Sequence, residues 1–153
     1  MENQLLGSFY FSVLFAGQGS EIDTMFQEVT GLNKTLGTEE VSGGGENRFK
    51  YRLPTQVSFE NLILKRGIVL MKSPLIDWCQ QTLDNGLVMA IKPKDVIVKL
   101  LNTEGQTCQT WTFVKAYPVK WSVSDLNSEK SALLIETIEL SFQYFNLERN
   151  NRE

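Results

Sequence analysis

Residues 59–67, FENLILKRG, alternate as a β-strand does and then end on two cations and a glycine. Successive side chains of a strand point to opposite faces. The two faces carry Phe59, Asn61, Ile63 and Lys65, and Glu60, Leu62, Leu64 and Arg66. Neither face is wholly apolar or wholly polar. A strand that packs only on its own core does not have this pattern, whereas a strand that also packs against other copies of the chain can have it.

Further strands are predicted on both sides of this stretch. Residues 9–15 place Phe9, Phe11, Val13 and Phe15 on one aromatic face, and residues 24–33 resume an extended pattern. Residues 87–92, LVMAIK, and 96–102, VIVKLLN, form a candidate hairpin around Pro93, with a second turn at Gly105. Residues 107–121 form a long strand that Pro118 interrupts with a bend, bulge or edge, and residues 132–147 form another. Residues 147–153 look like a frayed tail.

One helix is predicted over residues 74–85, in SPLIDWCQQTLDNG. Ser73 can cap it, Pro74 suits its first position and Gly86 ends it. Leu75, Trp78, Cys79 and Thr82 or Leu83 follow the spacing of a buried stripe. Trp78 is therefore interpreted as an anchor of the core or of a subunit contact.

Residues 36–56 contain the glycines Gly43, Gly44 and Gly45 and lack core patterning. A segment of this kind inside a compact domain is usually functional or disordered. Without a following G-K-[ST] motif it is a weak phosphate loop. The alternative is an extended hairpin arm, at about residues 41–56, that reaches a neighbouring molecule. Arg48, Lys50 and Arg52 alternate with Phe49 and Tyr51, as in binders of single-stranded nucleic acid, but a surface or inter-subunit charge patch is favoured.

Composition indicates one ordinary globular domain over residues 1–153. Hydrophobic residues make up 42% of the 153 residues, charged residues make up 22%, and the net charge is −3. Such a charge argues against a protein that neutralises phosphates. No apolar run is long enough to span a bilayer, and Glu2 argues against a cleaved signal sequence. The chain is therefore expected to be mainly β, with two packed antiparallel sheets in a sandwich or barrel, and one short helix.

Chemistry-bearing residues give little support to an enzyme. The sequence contains no histidine, which is the commonest general base and zinc ligand. Cys79 and Cys108 lack C-x-x-C spacing and are interpreted as buried thiols in a reducing compartment. Glu136 and Glu139 point to opposite faces of a strand and cannot form a catalytic dyad. A Ser-Lys arrangement stays open, but we predict no catalytic, cofactor-binding or metal-binding residues.

Several motifs, taken in order, resemble one family. The matching pieces are FSVLFAG, FQEVTGLN, GGGENRFKYRLPTQ, NLILKRG, SPLIDWCQQTLDNG, TWTFVKAYPVKW and LLIETIELSFQYF. The chain resembles the tail tube proteins of contractile phage tails and of extracellular contractile injection systems, whose fold is shared with the haemolysin-coregulated protein of type VI secretion. Tyr117 stands where this family often has tryptophan, and it retains a large aromatic ring.

The resemblance implies a β-barrel-like subunit that forms hexameric rings, which stack into a hollow inner tube within a sheath. Its partners would be further copies of itself, the sheath protein, baseplate or spike proteins, tube-terminating proteins, and a cargo of DNA or a protein effector in the lumen. No stable membrane insertion is expected. Assembly would take place in the bacterial cytoplasm, and the product would be a phage virion or a released extracellular particle.

Interface residues are predicted on this basis. Gly43, Gly44, Gly45, Glu46, Arg48, Lys50, Arg52 and Pro54 belong to the arm, Lys65 and Arg66 to charge pairs across copies, and Trp78 and Trp121 to packing near contacts. Two alternatives stay open. One is a secreted hexameric ring that carries effectors without long stacking, and the other is a barrel that binds a small apolar molecule.

Overall fold

The computed structural model describes residues 8–17, 23–45, 48–68, 72–124 and 134–149. These residues form ten strands and one helix. The elements are β1 (Phe9–Phe15), β2 (Asp23–Phe26), β3 (Glu28–Thr30), β4 (Thr35–Val41), β5 (Tyr51–Ser58), β6 (Leu62–Gly67), α1 (Pro74–Asn85), β7 (Lys94–Asn102), β8 (Thr107–Val123), β9 (Ile135–Ser141) and β10 (Tyr144–Arg149). The predicted mainly β class, with one short helix, is confirmed.

The long strand β8 belongs to two antiparallel sheets. Its first half pairs with β7 and β10, and β7 continues through β1 to β2. Its second half pairs with β9, which continues through β6 to β3. Between the halves, Lys115 has a φ of 51°, and the register shifts between Pro118 and Lys120. The predicted irregularity at Pro118 is confirmed, and the bend lets one strand serve both sheets.

The two ends of this strand path are β2 and β3, which are consecutive in the chain. β2 pairs with β1 in the first sheet, and β3 pairs with β6 in the second. Between them, the Gln27 backbone N–H donates to the Lys65 carbonyl at 3.0 Å. The described strands do not close into a barrel, but residues 23–30 connect the two sheets at their open side.

The core lies between the sheets and beneath the helix. Val96 and Val98 on β7, Leu62 and Leu64 on β6, and Ile138 and Leu140 on β9 are all fully buried and alternate with half-buried neighbours. Phe113 packs edge-on against Phe142, with ring centroids 4.9 Å apart. Side chains fill the interior, so the aromatic face of β1 contributes to a packed core through Phe11, Val13 and Phe15. Phe9, which was predicted on that face, is 48% exposed.

The helix forms where the sequence predicts it. Ser73 has extended backbone angles, and its hydroxyl accepts a hydrogen bond from the Ile76 N–H at 3.2 Å. This bond satisfies one of the amide groups that a helix N-terminus leaves without a partner. Of the predicted stripe, Leu75, Trp78 and Cys79 are buried, whereas Thr82 is half-buried and Leu83 is 38% exposed. No described helix is long and apolar enough to cross a membrane.

Three sequence predictions about strands are wrong. Residues 87–93 contain no strand, and β7 forms its hairpin with β8 through the turn at Gly105. The strand predicted over residues 132–147 is two strands, because the chain changes sheets at Phe142 and Gln143. The predicted tail begins too early, since β10 extends to Arg149. Residues 150–153 and Glu46 lie outside the described residues.

Candidate assembly interface

β4 and β5 form a two-stranded sheet separate from the rest of the fold. We call residues 35–58, without residues 46 and 47, the hairpin arm. Every residue of β5 is exposed, and so is every residue of β4 except Gly37. A two-stranded hairpin is only marginally stable in water by itself. The arm, which the sequence predicted at residues 41–56, is therefore a marginally stable element whose two strands the rest of the described chain leaves exposed.

One face of the hairpin arm is apolar. Val41 pairs with Tyr51, and Glu39 pairs with Leu53, so these four side chains share a face. Tyr51 and Leu53 are 52% and 50% exposed, and Phe49 packs edge-on against Tyr51 with ring centroids 5.5 Å apart. Glu39 is the one charged member of the two cross-strand pairs that form this face.

The opposite face of the hairpin arm is charged. Glu40 pairs with Arg52 across the strands and lies 3.9 Å from both Lys50 Nζ and Arg52 Nε. Pro54 pairs with Thr38 on this face. These ion pairs are well exposed, and exposed pairs contribute only about 0–1 kcal/mol to stability. The predicted basic residues are therefore grouped on the surface as expected, with one acid between two of them.

Two of the three glycines have a structural reason for their identity. Gly45 has a φ of 85°, a backbone conformation that residues other than glycine rarely adopt. A Cβ on Gly43 would lie 2.7 Å from the Tyr51 ring, so a larger residue there would displace that ring. Gly44 has open space around it. The glycines thus shape the end of the apolar face.

A second exposed apolar surface follows the helix. Residues 87–91, which we call the apolar segment, contain Leu87 and Val88, whose exposed fractions are 95% and 92%. Met89 and Ile91 are 56% and 42% exposed. The Trp78 indole N–H donates to the Lys92 carbonyl at 3.1 Å, which attaches the end of this segment to the helix. An open cleft of about 480 Å³ lies beside the segment, lined in part by Trp78, Gln81 and Thr82.

This surface was not predicted from the sequence, because LVMAIK has the composition of a strand. The signal was present, since the apolar run begins directly after the glycine that ends the helix and stops at Pro93. Among the described residues, the connection from the end of α1 to the start of β7 has no neighbouring strand to pair with. Its apolar side chains are therefore left on the surface.

Lys65 and Arg66 have different environments. Lys65 is half-buried and points away from the core, with Glu28 and Thr137 as its cross-strand neighbours. Arg66 is only 3% exposed, on the same side of β6 as Leu62 and Leu64. Its guanidinium donates to Asp23 at 3.2 Å, to Glu136 at 3.4 Å and to the Ser73 hydroxyl at 3.1 Å. The structure places Arg66 inside the subunit, so we revise its predicted role in pairing between copies.

These partners form the buried charge cluster, which we define as Arg66, Asp23, Glu136 and Ser73. Asp23 also accepts a hydrogen bond from the Leu75 backbone N–H at 3.1 Å, and Ser73 donates to Asp23 at 2.5 Å. The guanidinium lies over the Phe26 ring, 4.4 Å from its centroid. Because its members come from β2, β6, β9 and the start of α1, the cluster fixes the helix on the sheets.

Trp121 and Cys79 lie against this cluster. The Trp121 indole N–H donates to Glu136 at 2.8 Å. Burial, aided by the carboxylates of Glu136 and Asp23, raises the pKa of Cys79 to about 12, so the thiol stays protonated at neutral pH. Trp78 is 4% exposed and packs edge-on against Phe15 at 5.1 Å. Both tryptophans thus have partners inside the subunit, and Trp78 also borders the cleft beside the apolar segment.

Comparison with known proteins points to one family. The sequence model of the T4-like virus tail tube protein gp19 family matches residues 7–146. A chain in the baseplate of the anti-feeding prophage is 30% identical, with a TM-score of 0.78, and the match covers 97% of this chain and 98% of that chain. No curated protein sequence matches significantly.

Two more distant structures share the fold. A chain of the sheath-tube complex of the extracellular contractile injection system PVC, in its extended state, has 23% identity and a TM-score of 0.71. That match covers 92% of this chain and 88% of the other. Hcp1 from Salmonella typhimurium has 16% identity and a TM-score of 0.55, over 92% of this chain and 86% of that chain.

Proposed function

Because the chain belongs to the T4-like virus tail tube protein family, we propose that its copies form hexameric rings that stack into a hollow tube inside a contractile sheath. The protein is a structural inner tube protein of a phage-tail-like particle. Its contribution is mechanical, and we propose that it catalyses no reaction. The cargo of the tube would be DNA or a protein effector.

The hairpin arm is the observation that carries this proposal. An arm of two strands, exposed on both faces and apolar on one, is an unfavourable structure for a monomer. It becomes favourable when another copy covers its apolar face. A contact between two different surfaces repeats from copy to copy, and it produces a ring or a filament according to its rotation. The hairpin arm therefore supports assembly by head-to-tail contacts.

The interface is proposed to include the arm residues Gly43, Gly44, Gly45, Glu46, Arg48, Lys50, Arg52 and Pro54, with Lys65 on the outer face of β6. Trp78 and Trp121 would support contacts from inside the subunit. The sheath, the baseplate and a tube-terminating protein would be the other partners, which agrees with the baseplate and the sheath-tube complex in which the similar chains were found. Assembly is proposed to take place in the bacterial cytoplasm before the particle is released.

Negative-stain electron microscopy of the purified protein tests the proposal. We expect hollow filaments or sixfold rings. Separate stable rings without filaments would favour the effector-carrier alternative, and a monomer at high concentration, shown by sedimentation, would contradict both.

A variant tests the role of the arm. Replacing Gly43, Gly44 and Gly45 by alanine, together with Arg48, Lys50 and Arg52 by serine, should prevent tube growth and leave the subunit folded. A control with Thr103→Ala and Glu104→Ala changes an exposed turn elsewhere and should still form tubes. Tubes of normal length from the arm variant would refute its assignment.

A further inference from the structure

Two apolar surfaces of this chain are exposed at the same time. The apolar face of the hairpin arm presents Val41, Tyr51 and Leu53, and the apolar segment presents Leu87 and Val88. Large apolar groups that protrude this far usually mark an interaction site. Since both surfaces are open in a single chain, neither of them covers the other.

The exposed charge nearest to the apolar segment and the charge within the apolar face of the hairpin arm have opposite sign. Lys92 and Lys94 follow the apolar segment directly, and residues 87–94 contain no acidic residue. Glu39 lies within the apolar face of the hairpin arm, beside Leu53. When the two surfaces meet, an exposed lysine can therefore face an exposed glutamate at the edge of an apolar contact, an arrangement that fixes register.

The cleft beside the apolar segment is large enough to take a side chain from the hairpin arm. The cleft of about 480 Å³ beside the apolar segment is lined by Met89 and Ile91 on one side and by the helix residues Trp78, Gln81, Thr82 and Asn85 on the other. On the hairpin arm, Tyr51 and Leu53 are 52% and 50% exposed. Either side chain is small enough to enter a cleft of this volume.

From these observations we propose that the apolar segment of one copy docks on the apolar face of the hairpin arm of a second copy, with Lys92 opposite Glu39. The inference rests on the proposed tube function and names the docking site of the arm. Each surface occurs once per chain, so a single kind of contact covers both of them. Because the surfaces are different, the contact is head-to-tail and leaves one surface of each kind available for the next copy.

Two variants test this proposal through complementation. Leu53→Asp breaks the hairpin face and leaves the segment intact, while Val88→Asp breaks the segment and leaves the hairpin face intact. An unpaired carboxylate in an apolar contact is costly, so each variant alone should give at least about ten-fold less polymer than the unaltered protein. Circular dichroism and thermal melting verify that both variants are folded.

Mixing the two purified variants is the decisive measurement. The intact segment of the first variant can accept the intact hairpin of the second, but the resulting pair has no second docking contact of this kind available. Analytical ultracentrifugation should therefore show a species of twice the mass of either variant alone, without filaments. No change in mass on mixing would overturn the proposal.

Cross-linking gives a test that does not depend on these variants. In a Cys108→Ser background, Leu53→Cys and Val88→Cys should form disulfides between copies on mild oxidation, and a non-reducing gel should show a ladder. Cys79 can stay, because it is buried and its raised pKa keeps it as a thiol. A matched pair, Glu104→Cys with Val88→Cys, should give no ladder.

The outcomes separate this inference from the proposed function. Normal tubes from Val88→Asp, or no ladder from the cysteine pair, would overturn the docking site and leave the tube function in place. An unaltered protein that forms neither tubes nor rings would overturn the proposed function itself.

Discussion

The hairpin arm and strand β6 show two outcomes for the same kind of sequence. Both contain basic residues within an alternating strand pattern, and both were predicted to contact other copies. In the hairpin arm, Lys50 and Arg52 lie on an exposed face and share one acid, Glu40. In β6, the guanidinium of Arg66 is buried and has two carboxylates and a hydroxyl as partners.

The two regions differ in the residues that lie on the same strand face as the cation. Arg66 points to the same side as Leu62 and Leu64, which are fully buried, so the fold takes the guanidinium into the core with them. Burial of a charge requires partners, and the cluster provides them. Within the part of the chain that the structure describes, no second layer covers the charged face of the hairpin arm, so its ion pairs stay in water. The same residue type thus stabilises the subunit in one region and is available for assembly in the other.

The largest effect should come from Arg66→Ala. This change leaves the carboxylates of Asp23 and Glu136 buried without their cation, and breaking a buried pair typically costs about 3–5 kcal/mol. We expect a loss of this size in the free energy of unfolding, measured by urea titration of unassembled subunits. The control is Lys65→Ala at the next position, which removes a half-buried cation on the outer face and should cost less than about 1 kcal/mol. Equal losses would contradict the contrast between the two faces of β6.

An effect that depends on pH is expected from Cys79 beside the cluster. Its pKa is raised to about 12, whereas a thiol in the unfolded chain titrates at roughly 8.5. A raised pKa favours the folded state below the unfolded value, and this contribution is lost as the pH rises through the window between the two values. The free energy of unfolding should therefore fall by about 1.4 kcal/mol per pH unit within this window.

The comparison with Cys79→Ala separates this contribution from that of every other group in the protein. The variant should show a shallower fall in stability above pH 9 in urea titrations. An unchanged slope would show that the thiol ionises as readily in the folded protein as in the unfolded chain. A thiol reagent at neutral pH should correspondingly label Cys108, which is half-buried, before Cys79, which is fully buried.

Local signals in the sequence were sufficient for the helix and for the position of the arm. Ser73, Pro74 and Gly86 define the helix by chemistry that acts within a few residues, and the structure has the same ends. The hairpin arm was recognisable because its residues lack the pattern of a strand with one face on the core. Both features depend on short-range physics, which a single sequence contains.

Long-range partners could not be predicted in the same way. The placement of Arg66 on the leucine face was visible in FENLILKRG, but its partners Asp23 and Glu136 are 43 and 70 residues away in the chain. The run LVMAI has the composition of a strand, and only the absence of a neighbouring strand in the described fold makes it a connection. The assembly was predicted from the family resemblance, whereas the exposed surfaces were identified from the chain's own residues.

The smallest effect is expected when a serine is replaced by alanine, and the size of the loss in stability should differ between the two regions. Ser73 and Ser58 each use their hydroxyl in a hydrogen bond: Ser73 caps α1 within the buried charge cluster, and Ser58 donates to the Thr35 carbonyl at 3.4 Å across the exposed hairpin arm. Replacing an N-cap serine by alanine costs about 1 kcal/mol, and here it also removes the acceptor for an Arg66 N–H. We therefore expect Ser73→Ala to lower the free energy of unfolding of unassembled subunits by about 1–2 kcal/mol, and Ser58→Ala to lower it by less than about 0.5 kcal/mol, because water can replace an exposed bond. If both variants lose the same stability in urea titrations, then the hairpin arm is held as firmly as the core in the free subunit, and its need for a neighbouring copy would have to be abandoned.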